Sequence, residues 1–199
     1  MLEEDSREAI LRCALELFSR KGYEGTGVQK ICEDAGIAKP TLYYHFGSKE
    51  GLLESVLSEN FAELEQRLMS IKSYSTQTDI YEKDIYPVVL DIISVHFEFA
   101  RRRPLFYMMI ISMSFSPKDS VVAPYIMPYL KKQYDEVKVY FAQISSVHTG
   151  LKGKEHFFAL NLMAMINAAI GFWNSGKGEL DMDTAQKITK QFMHGIFSI

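Results

Sequence analysis

Between Thr26 and Lys49 the chain reads Thr-Gly-Val-Gln-Lys-Ile-Cys-Glu-Asp-Ala-Gly-Ile-Ala-Lys-Pro-Thr-Leu-Tyr-Tyr-His-Phe-Gly-Ser-Lys. Apolar residues recur at helical spacing on both sides of Gly36, and glycine is the residue that takes the left-handed turn at a helix end. Pro40 stands in the first turn of the second segment, where a missing amide costs nothing. Gly47 breaks the chain again. These constraints leave two short helices joined by a tight turn, the second carrying Thr41, Tyr43, Tyr44 and His45. A stubby second helix of that kind fits the DNA major groove, where it reads base edges and holds phosphates.

The flanks fit the same plan. A helix is expected from about Asp5 or Ser6 to Lys21, capped by Ser6, with Ile10, Ala14, Leu17 and Phe18 as its apolar stripe and Gly22 as its stop. Thr26, followed three residues later by Gln29, fits a capping box that opens the next helix. Leu42, Tyr43 and Phe46 are expected to pack inward from the helix that begins near Lys39. Ser48 caps a long helix through Leu68 or beyond. Ser70–Asp79, rich in Ser, Thr and Lys, reads as a linker.

The remainder reads as an apolar helical body. Ile85, Val89, Ile92, His96 and Phe99 or Ala100 line one face of a helix ending at Arg101-Arg102-Arg103, with Pro104 forbidding its continuation. Further helices are expected over 105–115, from about Tyr129 to Ser146 after an irregular stretch at Pro124 and Pro128, over 155–175 and over 184–197. No alternating strand pattern with hairpin turns occurs, so the fold is expected to be all-α. It would comprise an N-terminal three-helix head over 1–48 and a helical domain over 49–199, joined by the long fourth helix.

Several function classes recede on composition. The 199 residues are 47% apolar and 24% charged, ordinary for a globular protein. Cys13 and Cys32 are spaced for neither zinc nor a redox pair and read as small reduced core residues. Phe157–Gly176 carries no charge over the length of a spanning helix. Asn161, Asn167 and Asn174 interrupt it, and its small residues suit burial between helices better than lipid. The acidic N-terminus lacks a signal-peptide core, so a cytoplasmic protein is expected. No metal site, cofactor or catalytic constellation is expected. The formal net charge is −3, and seven Lys and Arg against nine Asp and Glu leave the first fifty residues at −2. DNA affinity must therefore come from local placement of cations, amides and hydroxyls rather than from a global field.

The head resembles the TetR family of bacterial transcriptional regulators. The matching elements are Ala14-Leu15-Glu16-Leu17-Phe18, Gly22-Tyr23, Ile31-Cys32 with Ala35-Gly36, Thr41-Leu42-Tyr43-Tyr44-His45-Phe46 and Ser48-Lys49-Glu50-Gly51-Leu52-Leu53. The resemblance covers about a quarter of the chain. It implies a homodimer whose two heads bind a palindromic operator in double-stranded DNA, and a C-terminal domain where a small-molecule effector binds and releases it. It further implies that the last two long helices pair with those of a second copy. DNA contacts would fall on Gln29, Lys39, Pro40, Thr41, Tyr43, Tyr44, His45 and Lys49. Gly27 departs from the usual threonine or serine, so a phosphate contact at that helix start would be lost or moved to Thr26.

Read residue by residue, Lys39 and Thr41 are the best base-edge candidates, and Lys49 can reach a phosphate from the start of its helix. Tyr44 and His45 offer donors to backbone oxygens, while one of two adjacent aromatics, Tyr43, is assigned to the core. His96, Tyr107, Met108, Ile111, Phe115 and Tyr125 are candidates to line an apolar effector pocket, since methionine and aromatic side chains adapt to varied apolar shapes. The same pattern also suits plain core. Leu160, Met163, Ala164, Asn167, Ile170 and Trp173, with Ile188, Phe192 and Ile196, are the candidate dimer interface. The rival reading is a helical carrier or enzyme with a vestigial DNA-binding head, which would show no sequence-selective affinity for duplex DNA.

Overall fold

The computed structural model of the chain describes residues 2–71 and 81–195. The described residues form α-helices α1 (Leu2–Lys21), α2 (Val28–Ala35), α3 (Lys39–Phe46), α4 (Lys49–Met69), α5 (Tyr81–Arg102), α6 (Pro104–Ser114), α7 (Ala123–Val147), α8 (Glu155–Asn174) and α9 (Met182–His194), with a short 3-10 turn at Thr149–Leu151. The fold is all-α, with a three-helix N-terminal bundle followed by the long α4 and a set of C-terminal helices. Two compact units are present, Met1–Glu63 with Leu105–Tyr129 and Leu64–Pro104 with Leu130–Ile199. The helix α4 runs from the first into the second.

In the first unit α1 packs on α2 and α3. Ile10, Ala14 and Phe18 of α1 meet a core that includes Ile31, Leu42, Leu52, Leu53 and Val56, all buried. Phe61 of α4 stands edge-on to Phe106, 5.3 Å between centroids, and stacks on Tyr129 at 4.9 Å. Each helix of the head ends at a glycine with positive φ: Gly22 at +73°, Gly36 at +67° and Gly47 at +70°. A side chain there would be strained, which is why the chain turns where it does.

In the second unit α5 packs on α8 and α9. The expected face of α5 is buried throughout, His96 included. Phe141 of α7, Phe158 of α8 and Phe192 of α9 form one aromatic cluster, with centroids 5.8 Å apart for Phe141–Phe158 and Phe141–Phe192. The end of α4 is tied to α7 by Tyr140, whose hydroxyl donates to the Leu68 carbonyl at 2.7 Å, and by the Lys132–Glu65 ion pair at 2.5 Å.

Several local expectations fail for identifiable reasons. The helix α1 starts at Leu2, so Ser6 lies inside it rather than capping it. There is no capping box at Thr26. Its hydroxyl is buried and donates to the carbonyls of Leu17 at 3.2 Å and Gly22 at 2.8 Å, and α2 starts after Gly27 without a side-chain cap. The helix α7 takes in Pro124 and Pro128 instead of beginning near Tyr129. Pro124 lies in its first turn, where the missing amide is harmless. The helix α9 is capped by Asp181, whose carboxylate accepts from the Thr184 amide at 2.8 Å. Most of the expected linker, residues 72–79, lies outside the described residues.

Candidate nucleic-acid interface

The candidate recognition surface is built on α3. Eight residues long, it commits Leu42 and Phe46, four apart, to the core. Tyr43 and Tyr44 are 46% and 75% exposed. Tyr43 therefore does not fill the core. Successive residues lie roughly 100° apart around a helix, and with Leu42 and Phe46 holding the inward face both tyrosines fall on the outward arc. Lys39 and Pro40 are exposed beside them, while Thr41 and His45 are half-buried. The rings of Tyr44 and His45 meet edge-on at 5.2 Å.

The turn that aims α3 is fixed by hydrogen bonds. The Gly36 amide donates to the Cys32 and Glu33 carbonyls, and Ile37 donates to Cys32 at 3.0 Å. On α2, Gln29 is exposed and its amide donates to Glu33 at 2.9 Å. Lys30 pairs with Asp34 at 2.6 Å, a bond that raises the ammonium pKa above its usual value. These acidic partners pair with the polar side chains on the outward side of α2.

Lys49 opens α4, but its ammonium is folded back. It donates to the Tyr23 carbonyl at 2.5 Å and lies 4.0 Å above the Tyr23 ring. Burial lowers its pKa, opposed by Glu50 and Glu24. The Tyr23 hydroxyl donates to Glu50 at 3.0 Å; burial first, then this bond, raises the phenol pKa. Glu50 is held below the usual carboxylate range by its own backbone amide, by Ser48 and by Tyr23. Ser48 accepts from the Gly51 amide at 3.0 Å, as its capping position predicts. Together these residues clamp the α1–α2 turn to the start of α4. In the sequence Tyr23 and Glu50 stand in two separate motifs, and no local pattern pairs them across 27 positions. Thr26, with its hydroxyl turned inward, does not take over a phosphate contact from Gly27.

The candidate effector residues divide between the two units. His96 is buried in the second unit, whereas Tyr107, Met108, Ile111, Phe115 and Tyr125 belong to the first. Tyr107 is buried, Met108, Ile111 and Tyr125 are half-buried, and Phe115 faces solvent at the end of α6.

The candidate dimer residues divide by burial. Met163 and Ile170 are buried in the core of their own unit, and Phe192 belongs to the aromatic cluster described above. Asn167, Trp173 and Ile188 are half-buried, and Ile196 lies outside the described residues. Leu160 and Ala164 are exposed. They belong to an exposed face of Phe157, Leu160, Ala164, Ala168 and Phe172, at steps of three and four, whose two large anchors, Phe157 and Phe172, were not among the expected interface residues. Phe157 and Phe172 are 63% and 59% exposed. By length and apolarity α8 is also the one described helix that could cross a membrane. Among the described residues no three His, Cys, Asp or Glu side chains stand together as a metal site.

Comparison with known proteins converges on the head. Residues 10–56 match the family of bacterial regulatory proteins of the tetR type. Over 193 residues the chain is 25% identical to the HTH-type transcriptional activator FasR of Mycolicibacterium smegmatis, covering 96% of this chain and 83% of that one. It is 43% identical over 65 residues to the transcriptional regulator LmrA of Bacillus subtilis, a stretch covering 32% of this chain and only 35% of LmrA. The solved structure of the transcriptional regulator FadR from Bacillus subtilis, in complex with stearoyl-CoA, superposes with a TM-score of 0.74 at 20% identity, covering 95% of this chain and 98% of FadR. That likeness extends the shared fold past the head. The helix-turn-helix geometry and the family match agree: residues 10–56 carry the DNA-binding head of the TetR family of bacterial regulatory proteins.

Proposed function

We propose that this regulator binds a palindromic operator as a homodimer and that a small apolar effector sets its hold on DNA, as a repressor released on effector binding. The observation that carries the reading is the pair of solvent-facing tyrosines beside Lys39, on a helix pinned by Gly36 and Gly47. Two exposed aromatics in two turns of helix are costly in water and useful against a phosphate-lined groove. Lys39 and Thr41 address base edges. Tyr43, Tyr44 and His45 address the backbone, Pro40 supports the approach of α3, and Gln29 contributes from α2. Lys49 reaches a phosphate on leaving Tyr23. Such a protein acts in the cytoplasm, where the operator lies.

An effector with an apolar part is supported by FadR, which is solved with stearoyl-CoA, a molecule carrying a long apolar acyl chain. The sign of control has a second reading, because FasR, matched along most of its length, is an activator. Transcription in vitro from the recovered operator, with and without an acyl effector, separates the two. Selection of bound DNA fragments by the purified protein tests the core of the proposal. An enriched inverted repeat supports it, and no enrichment favours a carrier with a vestigial head.

Two variants divide the contacts. Lys49→Ala should weaken binding to all sequences alike and reduce the salt slope by about one. An unchanged slope with a lower melting temperature would assign Lys49 to the Tyr23 clamp alone. Lys39→Ala should relax base preference at one position of each half-site, and a uniform loss would exclude base readout.

The exposed face of α8 is assigned to the second copy. Phe157 and Phe172 offer large apolar anchors, and Ala164 and Ala168 between them let two helices approach closely. The asparagines of α8 argue for a protein partner over lipid. Leu160→Glu combined with Phe172→Glu should yield a monomer by sedimentation and reduce full-operator affinity to that of one half-site. A variant that stays dimeric would move the interface elsewhere.

A further inference from the structure

The first unit contains a cleft separate from the candidate effector residues. Its volume is about 270 Å³. One wall is the end of α1 and the turn after it, from Phe18 through Gly25. The other is the second half of α6 with the loop that follows, contributing Met109, Met113, Ser120 and Val122. The size lies just below the ~300–1,000 Å³ range of sites for drug-sized ligands.

The lining specifies an occupant. Phe18, Met109, Met113 and Val122 make the interior apolar and, through the methionines, adaptable. Ser120 supplies a polar point there: its hydroxyl is buried and finds no hydrogen-bond partner among the described residues. A buried hydroxyl left unpaired is costly, and a ligand hydroxyl or carbonyl would relieve that cost. Ser112 and Ser116 also line the cleft. At the rim Lys21 and Glu24 are both exposed and carry opposite charges three residues apart, so the mouth has no net charge to select an ion.

We infer that this cleft is a binding site for a small uncharged molecule with an apolar body and one hydroxyl or carbonyl group, distinct from the acyl effector proposed above. Its position gives it a direct hold on the head. Tyr23, in one wall, is the residue on which Lys49 and Glu50 are clamped. An occupant that moves the Tyr23 turn moves the start of α4 next to the recognition helix.

The test needs no DNA, so its failure is separable from failure of the DNA reading. Full-length protein carrying ¹³C-methyl methionine is titrated with benzyl alcohol, benzoate and benzylammonium, with the Met109 and Met113 signals assigned by substitution to leucine. Benzyl alcohol should shift both methyl signals saturably, and more tightly than either charged analogue. Ser120→Ala should weaken it by about two- to tenfold, the range of one neutral hydrogen bond. Ser112→Trp, which fills the cleft from an exposed position, should abolish the shifts while leaving the circular dichroism spectrum unchanged. Shifts confined to other methionines, or persisting in Ser112→Trp, would overturn the site. Tighter binding of benzoate or benzylammonium would overturn the uncharged class.

Discussion

Phe61→Ala should cost the protein about 3–5 kcal/mol of stability, the range for truncating a fully buried phenylalanine. Phe61 is 1% exposed, and its ring is held from two directions, edge-on by Phe106 and face-on by Tyr129. Losing the ring removes apolar burial, leaves a cavity between two aromatic walls, and deletes two ring contacts worth about 0.5–1.5 kcal/mol each. Neither wall can easily close the gap, since Phe106 is itself fully buried. Urea unfolding followed by circular dichroism measures the loss. Phe61→Leu, which keeps much of the apolar volume, should recover more than half of it. A loss below about 1.5 kcal/mol for the alanine variant would mean that the site collapses freely and that the aromatic seat is not a fixed point of the unit.

The second large effect is a pH dependence. His96 is completely buried, and its Nδ1 lies 2.7 Å from the Ile92 carbonyl one turn back, to which it donates. Its Nε2 is buried without a partner among the described residues. Burial pulls the imidazole pKa from 6.5 down to about 4, only partly opposed by the Ile92 carbonyl. The native protein therefore holds His96 neutral, while the unfolded chain takes up a proton below 6.5. Stability is undiminished above that value and falls as the pH drops from 6.5 toward 4, since the unfolded state binds more protons there. The full interval corresponds to about 3 kcal/mol, at ~1.36 kcal/mol per pH unit. Comparing His96→Leu and His96→Gln with the parent from pH 7 to pH 4 isolates the contribution from the carboxylates that titrate alongside. The parent should lose about 3 kcal/mol more than either variant across that interval. Parallel curves would mean that the imidazole is protonated in the folded state.

The parts of the fold legible in the sequence were those governed by one residue's backbone. Gly22, Gly36 and Gly47 each end a helix because a positive φ is needed there, and Ser48 caps α4 from its own position. The face of α5 was legible because five apolar or neutral positions recur on one side of a single helix. Thr26 defeated the same reasoning. Its local pattern is that of a cap, but two carbonyls contributed by α1 and its terminal turn compete for the hydroxyl and win. Tyr43 was misplaced because adjacency says nothing about which of two aromatics faces inward; that depends on Leu42 and Phe46 already holding the inner side. In α8 apolar residues occur all round the helix, so periodicity could not separate Met163 and Ile170, which are core, from Phe157 and Phe172, which are not. The Tyr23–Lys49–Glu50 clamp joins residues far apart in the chain, and no local pattern encodes it.

The division of labour within α3 has a consequence for rewriting the protein's address. Two side chains, Leu42 and Phe46, seat the helix, and its turns are set by glycines outside it. Lys39, Tyr43 and Tyr44 are exposed and Thr41 is a small half-buried side chain, so the four form a cassette that can be exchanged as a block. A library randomised at those four positions should remain folded almost throughout while its members disperse over many operators. The same scaffold could then be assigned to new promoters without redesigning the core that supports it.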